Sequence, residues 1–446
     1  MLRGRAGRLR SNKMPLVAAF MDAPPAPPRP PLGYPWSMEI MLHESPLPDL
    51  PPAPLVEDHP APAATPALRF GPIVIDPPVV LAPMAGVTDA PFRVLCASYC
   101  GGLFVNQMVT ARAFLQGHAR TVDLTRLHPA ERVRSLQLYG TDPKTLGEAV
   151  RRLVGEGLVD HIDMNFGCPA PKVTRNGGGA ALPFKRRLLG AIIGTAARAA
   201  RDASGGRVPL TVKFRLGIDD AHLTYLDTGR IARDEGAAAL ALHARTALQH
   251  YAPPAHWDHI ARLKAAVPDI PVLGNGDIFA PHEALEMMRL TGCDGVVIGR
   301  GCLGRPWFFR DLADAFAGRP IQAPPTLGEV AAVIRRHLEL LRAWCNEPAE
   351  MEWRIQSFRK HLIWYFAGYP VGPALRKRAV HVRSDAEVES ILDDLDPHAV
   401  LAENAGRVVR SHGGALRRVV LPQGWLADPD EDLRLDPALE EMGSGG

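Results

Sequence analysis

The chain has 446 residues, 46% of them apolar, with 43 prolines and a formal net charge of +3. That apolar content can bury a large core, and the length suggests two or three domains. No run approaches twenty uninterrupted apolar residues, which excludes a membrane-spanning helix, and the slight positive charge permits nucleic-acid binding only through a local basic footprint.

Six cysteines (Cys96, Cys100, Cys168, Cys293, Cys302, Cys345) are scattered without metal-ligand spacing. They suit reduced thiols in the cytoplasm better than a disulfide framework, and they speak against a metal site.

Residues 1–67 begin with a basic stretch, MLRGRAGRLR, and a short apolar patch. No apolar run leads from it into a small-residue cleavage site, which argues against secretion. Sixteen of the 43 prolines precede residue 67, so this tail is expected to be disordered.

From Leu68 onward, short β-branched or apolar runs recur at Val79–Gly86, Leu103–Val109, Ser135–Gly140, His161–Pro169, Leu210–Gly217, Ala239–Thr246, Pro271–Ile278 and Gly295–Gly301. Ala- and Leu-rich stretches of helical length separate them. Eight βα units in about 250 residues predict an α/β fold, a (β/α)8 TIM barrel over 68–320, because a doubly wound sheet usually stops at five or six strands.

The first run ends in Pro83-Met84-Ala85, and the other seven carry polar groups toward their ends: Asn106-Gln107, Gln137, Asn165 with Cys168, Lys213 with Arg215, His243 with Arg245, Asn275-Gly276-Asp277, and Gly299-Arg300. In a barrel these form a ring at the C-terminal mouth, where such folds keep their chemistry.

The fourth unit is the most distinctive. Its run continues as DMNFGCPAPKVTRNGGG, residues 163–179. A thiol leaves the strand end, Lys172 and Arg175 follow, and three glycines let the backbone approach a bulky partner. This reads as a catalytic loop.

At the seventh and eighth units, GNGD (274–277) and IGRG (298–301) place glycine-bearing loops and Arg300 at the corner where barrels commonly bind a phosphate. Lys213 and His243 complete a cradle for a flavin mononucleotide, whose N1/O2 edge gives an otherwise costly buried ammonium an electron-rich partner.

LAPMAGVTDAPFR (81–93), QLYG (137–140), DMNFGCPAPKV (163–173), VKFRLG (212–217), HARTALQHY (243–251), LGNGDI (273–278) and IGRGCLGRPWFF (298–309) occur in this order. Together they resemble the signature of the bacterial tRNA-dihydrouridine synthases, over roughly Leu68 to Pro397. The resemblance implies an FMN-containing barrel with a C-terminal helical domain that reduces particular tRNA uridines with NADPH. It further implies that Pro83, Met84, Ala85, Gln137, Lys213, His243, Asn275, Gly276, Asp277, Gly299 and Arg300 hold FMN, and that Cys168 is the proton donor. Asn165, Lys172, Arg175, Arg215, Arg245, Arg354 and Arg359 are then expected at the substrate.

Two places depart from the family pattern. Ala252-Pro253-Pro254-Ala255 stands before His256-Trp257, where a glycine and an acidic residue are more usual. Ala170-Pro171 follows the cysteine, where a basic residue is common. The chemistry itself is consistent: uracil C6 is electron-poor and takes hydride, so C5 needs an acid, and a cysteine serves if Lys172 or Arg175 sets its thiolate fraction.

Thr326 is expected to cap a helix with apolar positions Leu327, Val330, Ile334, Leu338 and Leu341. Met351, Ile355, Phe358, Leu362 and Tyr365 mark a second helix. The region 324–398 thus predicts a small helical bundle, with Arg354, Arg359 and Arg376-Lys377-Arg378 available to RNA phosphates. Residues 399–446 lack periodicity and are expected to be a mobile tail.

The combined reading is a monomeric, cytoplasmic, FMN- and NADPH-dependent reductase of tRNA uridines that uses no metal or membrane. Its rivals are a flavin barrel acting on a free pyrimidine, as dihydroorotate dehydrogenases do, and a catalytically silent RNA-binding barrel.

Overall fold

A computed structural model describes residues 66–403, 405–411, 414–433 and 435. The proline-rich tail therefore lies outside the described residues, apart from Pro66 and Ala67.

A short antiparallel hairpin comes first, β1 (Leu68–Phe70) and β2 (Ile73–Ile75). The sequence reading did not include it, because three-residue strands are too short for an alternating pattern to stand out. Its turn holds Gly71 at φ 54°, a conformation glycine adopts without strain. Leu68, Phe70, Ile73 and Ile75 are buried together with Val80, Leu103, Val105, Ala239, Ala241, Leu273 and Val297, which line the barrel interior. The hairpin is thus a plug for one end of the barrel.

The eight expected runs form the eight strands of a closed parallel barrel: β3 (Val79–Leu81), β4 (Leu103–Thr110), β5 (Ser135–Tyr139), β6 (His161–Phe166), β7 (Leu210–Arg215), β8 (Ala239–His243), β9 (Val272–Asn275) and β10 (Gly295–Ile298). Neighbours follow chain order, and β10 pairs back to β3. Helices α1 (Ala90–Ala97), α2 (Ala111–Leu115), α3 (Ala119–Thr125), α4 (Pro143–Gly155), α5 (Pro171–Thr174), α6 (Arg186–Ser204), α7 (Tyr225–Asp234), α8 (Asp258–Ala266), α9 (Pro281–Thr291) and α10 (Phe308–Phe316) connect or follow them. The main core fills the layer between strands and helices, with Leu136, Leu138, Ile162, Met164, Val212, Phe214, Ile192 and Ile193 all at 0% or 1% exposure in practice fully enclosed. Parallel strands covered on both faces read as nearly continuous apolar runs, which is why they were legible.

The bundle consists of α11 (Leu327–Trp344), α12 (Pro348–Phe366), α13 (Pro373–Ala379) and α14 (Asp385–Asp393). The Thr326 side chain accepts the Glu329 N–H while the Glu329 carboxylate accepts the Thr326 N–H, a reciprocal cap. Val330, Ile334, Leu338, Ile355, Phe358, Leu362 and Tyr365 form the bundle core as their spacing predicts. The bundle docks on α1, where Phe92 lies 5.7 Å from the His337 ring and 5.2 Å from His361. Among the described residues no helix is long and apolar enough to cross a membrane.

The described residues after Pro397, a stretch expected to be mobile, make specific contacts with both the bundle and the barrel. Arg410 is buried against the carbonyls of Trp364, Ala367 and Ala405. Trp425 is 4% exposed and donates to the Ala181 carbonyl. Irregular backbone leaves no periodic signature, so this packing was invisible in the sequence.

Candidate active site at the barrel mouth

Parallel register sets the depth of each functional side chain. Asn165 on β6 stands level with Lys213 on β7. Arg215, His243 and Asn275 share the next level across β7, β8 and β9. Of the residues read as a ring, Asn165, Lys213, Arg215, His243 and Asn275 are therefore brought together.

The cofactor side is a cluster of cations around few acceptors. Arg245, 0% exposed, makes two hydrogen bonds of 2.6 Å to the Asp277 carboxylate and donates Nε to the Ala252 carbonyl. Its Nη1 is buried and has no hydrogen-bond partner. Arg300 reaches the same carboxylate at 3.2 Å and lies 4.6 Å over the Tyr251 ring. Lys213 Nζ finds one neutral acceptor, Asn275 Oδ1, at 3.2 Å. Burial, then Arg215, lowers the Lys213 pKa, and Asp163 opposes that shift. His243 is held well below its usual range by burial and by Arg215, Lys213, Arg245 and Arg300, so its ring is neutral at pH 7.

Gly276 completes this corner. At φ 134°, a side chain there would be strained, and a Cβ would come within 2.7 Å of Ala255 Cβ and 3.5 Å of the unpartnered Arg245 Nη1. The missing side chain leaves a backbone cradle beside a cation with spare donor capacity, which fits the phosphate of a mononucleotide. Pro83, Met84, Ala85 and Gly299 are partly or fully accessible on the same rim.

Asp277 needs a different role from the one expected. Its carboxylate faces Arg245, Arg300 and the Ala255 N–H at 2.8 Å. A carboxylate repels a phosphate, so it acts by orienting the two arginines, from a backbone held at φ 55°.

On the opposite side lies the cysteine loop. Asn165 Oδ1 accepts the N–H groups of Gly167 and Cys168, both at 3.0 Å. Its Nδ2 donates to Gln137 Oε1 at 2.8 Å, and Gln137 Nε2 donates to Asp163 at 2.7 Å. Thr211 donates to the other Asp163 oxygen, and the neutral His161 links Thr211 to Ser135. Asn165 and Gln137 thus join a continuous polar chain that fixes the loop from the barrel interior. The sequence reading missed its lower half, because Asp163, Thr211 and Ser135 sit within apolar runs and their shared contacts exist only once the strands pair.

Cys168 is partly exposed and unbridged. Burial raises its thiol pKa, and the Ala170 N–H, Arg215 and Lys172 pull it back. Of the two cations after the cysteine, Lys172 is the one that bears on the thiol; Arg175 is exposed and bonds the Pro171 carbonyl.

Several expected substrate contacts are turned elsewhere. Arg215 is 4% exposed and donates to the carbonyls of Gly167, Thr246 and His250, tying the cysteine loop to the loop after β8. Arg245 is committed to Asp277. Arg354 is 5% exposed and paired with Glu350 and Asp123. Arg359 donates to the Val382 carbonyl, and Arg376 to those of Val371, Phe366 and Tyr369. Helical spacing placed Arg354 and Arg359 beside the apolar stripe, and long side chains there fold back to satisfy buried acceptors.

The bundle nevertheless reaches the rim. Lys360 donates to the Gly86 carbonyl, and Gly86 N–H donates to Gln107 Oε1 at 2.6 Å. Arg93, 1% exposed, secures the same loop through Thr88, Asn106 and Glu131.

Residues 80–402 match the family model described as dihydrouridine synthase. A probable tRNA-dihydrouridine synthase of Mycobacterium tuberculosis (strain ATCC 25618 / H37Rv) is 55% identical over 389 residues, covering 86% of this chain and 98% of that protein. The probable tRNA-dihydrouridine synthase of Mycobacterium leprae (strain TN) is 50% identical, over 82% of this chain and 100% of that protein. The tRNA-dihydrouridine synthase B of Xanthomonas campestris pv. campestris is 40% identical over 303 residues, 68% of this chain and 88% of that protein.

Proposed function

Because the chain belongs to the dihydrouridine synthase family, we propose that it reduces particular uridines of tRNA to 5,6-dihydrouridine, with FMN in the barrel mouth and NADPH as the electron donor. The observation that carries this reading is the pairing of two features across one mouth: a cationic cradle with an unpartnered Arg245 Nη1, and a cysteine loop fixed by Asn165.

Arg245, Arg300 and the backbone at Gly276 and Gly299 would hold the phosphate of FMN. Lys213, Gln137, Pro83, Met84, Ala85, His243 and Asn275 are the residues that would hold its flavin ring. When bound, FMN supplies the hydride that goes to uracil C6.

Cys168 supplies the proton. Its raised pKa keeps Sγ protonated at neutral pH, the state a general acid needs. Asn165 holds the Gly167 and Cys168 amides, which fixes where that thiol stands. Lys172, on the short helix after the cysteine, and Arg175, at its C-terminal end, receive the RNA backbone at the rim, where phosphate contacts position a strand without reading its sequence.

The test is to map dihydrouridine in tRNA from a deletion strain complemented with wild type or Cys168→Ala, together with the cofactor released from the purified protein. The expected outcome is FMN, and restoration by wild type alone. Normal dihydrouridine in the uncomplemented strain would sink the assignment.

A further inference from the structure

The family match ends at residue 402, yet the described chain beyond it packs along the loops of the mouth. From the bundle it runs across the ends of successive βα units in reverse order. Arg305 donates to the Gly406 carbonyl at 2.7 Å, and Arg407 pairs with Glu283 at the start of α9. A Cβ on Gly414 would stand 2.7 Å from Pro253 and 3.2 Å from Ala252 in the loop after β8. The Arg417 N–H donates to the Leu248 carbonyl at 2.9 Å in the same loop. Trp425 then packs with Ile218, after β7, and with Ala181, after the cysteine loop; Val419, Leu421, Leu426, Leu433 and Phe184 surround this small core.

The last contact bears on the chemistry. Trp425 Nε1 donates to Ala181 at 3.0 Å. The Trp425 ring lies where a Cβ on Gly177 would be, 2.5 Å away, and Gly177 holds φ 74°. The neighbouring Ala180 N–H donates to the carbonyl of Cys168 itself at 3.0 Å. Gly179, at φ 53°, leaves no room for a side chain against that carbonyl. Lys185, with a side chain only 1% exposed, closes the seat. Its ammonium bonds the Asp428 carbonyl and the Glu431 carboxylate, both at 2.7 Å, and stands 5.3 Å from the Trp425 ring. Next to it, Arg186 forms a two-pronged bond with Asp430. Asp428, Asp430 and Glu431 thus anchor the segment.

We propose that residues 414–433 are a strap that positions the cysteine loop, and that Trp425 is a positioning residue for Cys168. Asn165 fixes the loop from inside the barrel; Trp425 fixes the glycine turn behind it from outside. The proposal rests on the reading of Cys168 as proton donor, and the test separates the two.

The full-length protein carries Trp425→Ala, Trp425→Phe or Glu431→Gln, the last a half-exposed position that leaves Lys185 its carbonyl partner. Two measurements are made. One is the rate of iodoacetamide modification at Cys168, resolved by peptide mass, with the partly exposed Cys100 and Cys345 as references. The other is single-turnover oxidation of the NADPH-reduced holoenzyme by tRNA.

Trp425→Ala is expected to raise Cys168 modification roughly tenfold by freeing the turn, with Cys100 and Cys345 unchanged. It should slow the tRNA step roughly 10- to 100-fold, the usual result of a displaced reacting group. Trp425→Phe, which keeps the packing and loses the hydrogen bond, should recover most of that rate, and Glu431→Gln should move both readouts in the same direction by less. In a Cys168→Ala background Trp425→Ala should slow the tRNA step no further. Unchanged Cys168 modification in both Trp425→Ala and Glu431→Gln overturns the strap, as does an equal rise at all three cysteines. If Cys168→Ala alone reacts with tRNA at the wild-type rate, the donor assignment fails, and selective modification of Cys168 still supports the strap.

Discussion

The barrel mouth and the helical bundle both gather cations, and they use them in opposite ways. At the mouth Arg245 keeps a buried nitrogen without a partner, and Lys213 has one neutral acceptor at 3.2 Å. In the bundle Arg354, Arg359 and Arg376 are turned to carboxylates and carbonyls of the protein itself, Arg354 to Glu350 of the bundle and Asp123 of the barrel. Buried donors are normally satisfied, so spare donor capacity is the stronger sign of a binding site than positive charge itself. A basic helix face read from spacing alone cannot make that distinction.

The sharpest way to break the comparison is at the residue it places opposite the cations. Cys168→Ala is expected to bind FMN and tRNA and to accept reducing equivalents from NADPH, since none of these uses the thiol. Its tRNA step should slow by roughly 10²–10⁴-fold, the usual contribution of a positioned general acid. Stopped-flow absorbance on pre-reduced enzyme reports that step directly. The sign of the pH dependence follows from the raised Cys168 pKa. The acid works while protonated, so the rate should stay level through the ordinary cysteine range near pH 8.5 and fall only at higher pH. A decline beginning near pH 7 would mean a thiolate-favouring site and a different acid.

Next in size is the cradle. Arg245→Met leaves Asp277 with Arg300 and the Ala255 N–H but removes its two shortest bonds. Breaking a buried pair from one side should cost about 3 kcal/mol. The purified variant should melt earlier and emerge largely free of flavin, and added FMN should raise its Tm less than that of wild type. A variant that melts earlier yet keeps full flavin affinity would make Arg245 a packing residue only.

How much of this was legible follows from where the information sits. The eight strands were readable because a strand buried on both faces needs an unbroken apolar run. The ring was readable because seven of the eight runs carry polar groups toward their C-terminal ends. Cys168, Asn165 and the glycine corners followed from that position. What the chain order hides is pairing. Asp163 reads as one acidic residue in an apolar run until β5 and β7 bring Gln137 and Thr211 to its two oxygens. Arg354 reads as an available cation until Glu350 and Asp123 meet it. The segment around Trp425 has no period at all, and its seat at Gly177 and Ala181 is defined only after the barrel has closed.

The smallest effect is the most direct test of spare against committed charge in the bundle. Arg354→Met removes the partner of two carboxylates that are only partly shielded, so it should lower the unfolding free energy by about 1–2 kcal/mol, read from urea denaturation. Since its guanidinium does not face solvent, the salt dependence of tRNA binding should be unchanged. Lys377→Ala, at an exposed position on α13, should do the reverse. Its stability should match wild type, while the slope of log K against log salt should shrink by roughly 0.9, the release of about one counterion. Fluorescence titrations with tRNA between low and moderate salt measure both slopes. If Arg354→Met flattened the slope and Lys377→Ala did not, the bundle would be presenting its arginines to RNA after all, and the contrast with the mouth would fall.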